Sequence, residues 1–337
     1  MREQPFAPTA DPSYFFASRD HKSCLFRLWN SIDERHGIAL VLGNYGTGKT
    51  TLLRKLMTAM AAEPEKYTTA VIGSPIPSWT SFALLEAIIQ QFGLRPERRS
   101  FAAYMEQLNR FLLAHRNTVT TLIIDDAQNL NKRGQLELLR LAQNLETPQH
   151  KLLNLVLFAQ LEWVRVLEAA PNFRQRINMT YTLEPLKLDE VRQFVDFRLA
   201  QAGAAQGKGP VFEDHAVEII YRYSQGNPRV LVTLCRNALL LAAQLRTSRI
   251  NGAIVWHTIK KTTVPDAERL NMVRGIVEEA PVPVQNGHQP FFGGYADVAG
   301  EELTLDEPFG PAGPRTSPNE ARANAMLNRV ARDQLNR

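Results

Sequence analysis

The sequence predicts an α/β fold: a five-stranded parallel sheet with helices on both faces, followed by a small α-helical domain. Three observations carry that prediction. Five short apolar runs alternate with helix-length amphipathic segments. The first run feeds directly into a glycine-rich stretch, GNYGTGKTT at 43–51. After LEPL at 183–186 the strand-like runs stop while helical periodicity continues.

Taken in order, the runs are residues 38–42, 68–72, 121–125, 154–160 and 180–186. They are apolar almost throughout rather than alternating, as strands covered on both faces are. Between them, 50–62, 81–92 and 101–116 have helical length and periodicity. Beyond residue 188 the helical segments are 189–202, 212–224, 227–244 and 250–261, separated by GAAQGKG at 203–209 and QGNP at 225–228. From 263 onward proline recurs with glycine and acidic residues and no sustained period, the composition of a disordered linker. A last element opens at Ser317, an N-cap candidate with Pro318 at the first helical position and Glu320 three after the cap. Such a tethered helix reads as a docking peptide, or as a marginal helix without a partner. The expected division is 1–188 for the nucleotide-binding domain, 189–262 for a helical lid, 263–316 for the linker and 317–337 for the terminal helix.

With 337 residues, 44% hydrophobic and 22% charged, the composition is that of globular material. The two most apolar stretches, 152–167 and 230–245, are interrupted by Glu162 and Arg165 and by Arg236 and Gln244, so no transmembrane segment is expected. The N-terminus lacks the apolar core of a secretory signal, and Cys24 and Cys235 form no spaced framework; a reducing cytoplasm is the expected location. A net charge of +5 permits nucleic acid or an anionic membrane as partner, although 39 basic against 34 acidic residues spread along the chain reads as a solvated surface.

The chemistry concentrates at the ends of the apolar runs. GNYGTGKTT matches G-x-x-x-x-G-K-[ST] between a strand and a helix, the setting of a working phosphate loop. Gly43, Gly46 and Gly48 let backbone N–H groups turn inward at the positive end of the following helix, with Asn44, Tyr45, Thr47 and Thr51 completing the loop. Lys49 is placed for the β and γ phosphates of ATP and Thr50 for Mg²⁺. In TLIIDDAQNL at 121–130, Asp125 emerges from a buried strand where a carboxylate can hold the metal's water shell. Asp126 stands where most such ATPases carry Glu; one methylene shorter, it predicts slow hydrolysis. Gln160 ends another strand, positioned to touch the γ-phosphate or the attacking water, or else to meet solvent. Arg174 and Arg176, in PNFRQRI, can reach a neighbouring subunit's nucleotide or form intramolecular ion pairs. Arg229, in SQGNPRVL, is presented back toward the nucleotide by the turn at Gly226 and Pro228.

On these residues the chain resembles the AAA+ ATPases of the ExeA/GspA type, from its start through about Thr262. The matching stretches include PFAPTADPSYFFASRDHKSCLFRL, GNYGTGKTTLLRKL, LIIDDAQNL, FRQRI and SQGNPRVLVTLCRNALLLA. The resemblance implies an ASCE-type P-loop domain with a helical lid, Gln160 in the sensor 1 role, Arg174 or Arg176 as the trans-acting finger, and Arg229 as sensor 2. It also implies that the segment from Phe6 to His21 runs along the adenine side. An ATP-dependent homo-oligomer, ring or filament, would act as a switch on an envelope, pilus or secretion complex, with a protein partner met through the C-terminal tail. Two departures are Asp126 and the absence of a recognisable membrane span or cell-wall-binding domain after residue 262. The similar TniB/TnsC/MuB group serves DNA transposition and uses short tails to meet a transposase. A DNA-binding transposition regulator is therefore the alternative, with DNA as partner.

Overall fold

The computed structural model describes residues 4–7, 14–204, 210–264 and 266–277. Five strands, β1 (Ile38–Gly43), β2 (Tyr67–Ile72), β3 (Val119–Ile124), β4 (Asn154–Ala159) and β5 (Ile177–Leu183), pair in parallel in the order β2-β3-β4-β1-β5. The expected five-stranded sheet is present. Within each buried run the two-residue period of a strand splits the apolar residues between two cores. Ile38, Leu40 and Leu42 of β1 face one core; Ala39 and Val41 face the other.

The first core is closed by α3 (Ser81–Gln91), α4 (Phe101–Ala114), α5 (Arg133–Gln143), α6 (Trp163–Glu168) and α7 (Pro171–Arg174). The second is closed by α1 (Arg19–Asp33) and α2 (Lys49–Ala61). Helix α1, which precedes the first strand, buries Cys24, Leu28 and Ile32 at a four-residue spacing. Local signals start these helices: Ser18 accepts from the His21 N–H, Thr80 from the Ala83 N–H and Ser100 from the Ala103 N–H. Both cysteines are buried and unpaired, and burial pushes the Cys24 thiol up to about 12, so it serves packing rather than redox chemistry.

The fifth strand starts at Ile177 and ends at Leu183, shifted toward the N-terminus from the expected 180–186. At the sheet edge its side chains alternate between half-buried and exposed, which blurs the apolar run, while Leu186 leaves the sheet to join a third core. That core belongs to the helical part: α8 (Leu188–Gln201), α9 (Asp214–Ser224), α10 (Pro228–Gln244), α11 (Gly252–Thr262) and α12 (Ala267–Val277). Helix α12 corrects the expected boundary at 262, because 267–277, assigned to the disordered linker, is helical. Its Val273 is fully buried in the helical core, worth about 1.5–3 kcal/mol, and Asp266 caps it by accepting from the Arg269 N–H. Phe6 also packs here, edge-on to Phe212 with ring centroids 6.2 Å apart. The rest of the expected linker and the helix at 317–337 lie outside the described residues. Among the described residues no helix is long and apolar enough to cross a membrane.

Candidate nucleotide site

Because β1 lies between β4 and β5 with β3 next beyond β4, the loop after β1 opens beside the C-terminal ends of β3 and β4. Thr50 therefore meets Asp125, and Asp125 and Asp126 act on the charge of Lys49. The loop turns on two left-handed glycines, Gly46 (φ 82°) and Gly48 (φ 99°), the second being the N-cap of α2. The Thr47 hydroxyl and amide both donate to the Asn44 carbonyl, at 2.9 and 3.3 Å. Thr51 follows, half-buried in the first turn of α2.

Lys49 is buried, and its ammonium donates to the carbonyls of Gly43 and Asn44 at 2.7 and 2.9 Å. Burial lowers its pKa, opposed by Asp125, Asp126 and Glu162. With carbonyls rather than a carboxylate as its direct partners, the ammonium keeps a positive potential for an incoming anion. Next to it, the Thr50 hydroxyl donates to Asp125 Oδ2 at 2.7 Å. Asp125 is 5% exposed at the end of β3. Burial raises its pKa, against the bonds from the Thr50 hydroxyl and the Asp126 N–H that favour the carboxylate.

Asp126 adopts the left-handed conformation (φ 49°, ψ 39°), which Asp and Asn tolerate better than most residues. Its carboxylate accepts from Gln128 Nε2 at 2.9 Å, and Gln128 Oε1 accepts from the backbone N–H of Gln160 at 3.2 Å. One side chain thus ties the second acidic residue to the end of β4. Sequence reasoning missed Gln128, although its i+2 spacing from Asp126 was the available signal.

The helical part closes the other side. Asn227 Nδ2 donates to the Tyr45 carbonyl at 2.7 Å, and the Arg229 guanidinium lies 4.5 Å above the Tyr45 ring. A Cβ at Gly46 would fall 2.5 Å from Asn227 Oδ1, so the loop and α10 fit only with glycine there. Arg229 therefore reaches the loop. From the sheet side, His21 of α1 places Nε2 3.1 Å from the Thr47 carbonyl; the sequence marked it only as the end of the segment expected along the adenine side, with no contact to the loop. The segment expected along the adenine side divides: Phe6 packs in the helical core, His21 meets the loop, and residues 8–13 lie outside the described residues.

Arg174 and Arg176 sit elsewhere. Ile177 opens β5 level with Ile38, while Gly43 is level with Leu183. The arginines are thus at the opposite end of the strands from their own phosphate loop, roughly 20 Å away by strand rise. Arg174 is exposed and Arg176 half-buried, while the nearby carboxylates Glu137 and Glu146 pair with Arg140 and Lys151.

Residues 32–167 match the AAA domain family. Over 250 residues the chain is 36% identical to general secretion pathway protein A of Aeromonas hydrophila, a match covering 72% of this chain and 44% of that protein. The chain thus spans less than half the length of this relative. Among solved structures it is similar to Cdc6p from Pyrobaculum aerophilum, with a TM-score of 0.58 and 20% identity over 79% of this chain and 73% of that one. It is also similar to the Aeropyrum pernix ORC2 protein in its ADPNP–ADP complexes, with a TM-score of 0.55 and 17% identity over 75% and 70%. At these identities the likeness is one of fold. A phosphate loop after β1, an interior strand of a 2-3-4-1-5 sheet, a paired acid at the end of β3 and the sequence match agree: residues 32–167 are an AAA domain, in a chain that is similar to a protein of the ExeA/GspA type over 72% of its length.

Proposed function

We propose that the chain binds and hydrolyses ATP as an oligomeric switch of the ExeA type, acting on a partner assembly of the envelope, a pilus or a secretion complex. The observation that carries this reading is the Thr50 hydroxyl bonded to Asp125 at 2.7 Å, beside a Lys49 ammonium held by two loop carbonyls. A hydroxyl, a carboxylate and an ammonium gathered at the positive end of α2 fit a polyphosphate with a divalent cation. Thr50 and Asp125 would hold Mg²⁺, whose contribution when bound is to neutralise charge on the phosphates.

The chain's own residues supply the rest. Lys49 exchanges its carbonyl partners for phosphate oxygens, and the loop amides turn inward around the anion. Asp126 orients the attacking water and accepts its proton, once Gln128 releases the carboxylate. Gln160 reports the state of the γ-phosphate from β4, and Arg229 does so from the helical part. Arg174 and Arg176, remote from their own loop, complete a neighbour's site. The 36% identity to general secretion pathway protein A supports the secretion setting, and the tail at 317–337 is the segment we assign to partner contact.

The oligomeric part is tested by mixing subunits. Lys49→Ala keeps the arginines but loses the phosphate loop; Arg174→Ala with Arg176→Ala does the reverse. Each should be inactive alone, and their mixture should regain phosphate release at shared interfaces. A mixture that stays inactive while light scattering shows intact oligomers contradicts the trans role.

A further inference from the structure

His21 belongs neither to the phosphate loop nor to the acidic end of β3, yet it is the one side chain of α1 that touches the phosphate loop through a hydrogen bond among those described. It is 3% exposed. Its ring is fixed on three sides. The Ser18 hydroxyl accepts from the His21 backbone N–H at 3.2 Å, which leaves its own proton for Nδ1, 2.6 Å away. Phe15 packs edge-on to the ring at 5.4 Å. Above it lies Gly48, where a Cβ would fall 2.8 Å from Nε2.

With Nδ1 accepting from Ser18, the neutral ring carries its proton on Nε2, which donates to the Thr47 carbonyl at 3.1 Å. Burial favours this neutral form by lowering the ring's pKa, against the pull of Thr47, Asp20 and Glu190. A trans peptide is planar, so its C=O and the next N–H point in opposite directions. Holding the Thr47 oxygen toward α1 therefore aims the Gly48 N–H the other way, into the loop.

We infer that His21 is a positioning residue for the phosphate loop, fixing the Thr47–Gly48 peptide so that the Gly48 amide is presented to the nucleotide's phosphates. The inference rests on the nucleotide reading of that loop. The same arrangement ties the loop to the helical part. At the start of α1 the Arg19 N–H donates to Glu190 Oε1 at 3.0 Å, and Glu190 is a buried residue of α8 whose second oxygen accepts from the Lys187 N–H at 3.2 Å. Asp20 fixes α1 to the end of β5 by accepting from the Tyr181 hydroxyl and the Glu184 N–H, at 2.6 and 2.9 Å. A shift of α8 would thus be felt two residues later at the ring that holds the loop peptide.

The test compares His21→Phe, which keeps a ring but has no donor, with His21→Gln, whose amide can donate from nearly the same place. ADP affinity is measured by calorimetry with thermal melts alongside. His21→Phe should weaken ADP binding about tenfold, the equilibrium weight of one well-made hydrogen bond to the phosphates. His21→Gln should recover most of that loss, even where both variants lower the melting temperature equally. A purely packing role would weaken both variants alike or neither, and either result overturns the inference while ADP binding by the native chain still stands. Failure of the native chain to bind ADP removes the nucleotide reading and this inference with it. A measurement on the native protein needs no variant: ¹⁵N NMR of the His21 ring at neutral pH should show a neutral ring protonated on Nε2, and protonation on Nδ1 instead overturns the proposal.

Discussion

Lys49 and Asp126 show how single residues carry opposite parts of the account. Lys49 is buried with carbonyl partners that a phosphate can replace, so it is poised for binding. Asp126 is held by Gln128 in a left-handed conformation, so it is restrained before it can act on water. The two roles separate kinetically. Asp126→Asn should leave ATP affinity unchanged and lower phosphate release by about 10²–10⁴-fold, the usual range for losing a positioned base. Asp126→Glu should raise release, its longer side chain compensating for the reach lost at this position. An unchanged rate in Asp126→Asn, measured at saturating ATP, would show that another group orients the water. At this scale the sequence was legible wherever a motif fixes spacing along one chain segment: the loop residues run from the end of β1 into α2, and Asp125 and Asp126 directly follow β3. Gln128 and His21 were not legible, because their roles depend on Gln160 and Thr47, brought close only by the sheet and by α1.

Helices and strands set how the two parts of the molecule meet. The joint is made by backbone: the Leu186 N–H donates to the Gly226 carbonyl at 2.9 Å, joining the chain after β5 to the turn before α10. Gly226 has a φ of 71°, and a Cβ there would run into the Leu186 carbonyl. Gly226→Ala should therefore cost about 2–4 kcal/mol, from left-handed strain together with overpacking. The result would be a lower urea midpoint and, through Asn227 and Arg229, a loosened contact with Tyr45. A midpoint equal to that of the native chain would contradict this reading of the joint. The sequence signals QGNP and LEPL marked both sides of the joint without saying that they touch. Buried strands were read well because an unbroken apolar run has few other uses; edge strand β5 was shifted because half its residues face solvent. Helix α12 went unread because Pro265 and the proline-rich stretch that follows overshadowed one short apolar stripe, Leu270 and Val273.

At the scale of the whole molecule, a sheet domain and a helical part share one phosphate loop, approached by α1 on one side and α10 on the other. Arg174 and Arg176 precede β5, at the opposite end of the strands from that loop. All of this turns on whether the loop holds a nucleotide. The direct measurement is calorimetric titration of the chain with Mg²⁺ and ATP, with phosphate release followed in parallel and Lys49→Ala as comparison. The account predicts saturable binding and slow turnover by the native chain. Lys49→Ala should lose at least about tenfold in affinity or nearly all turnover, since each charge-assisted bond from the ammonium is worth about 1.5–3 kcal/mol. ATP affinity and phosphate release both unchanged in Lys49→Ala would contradict it.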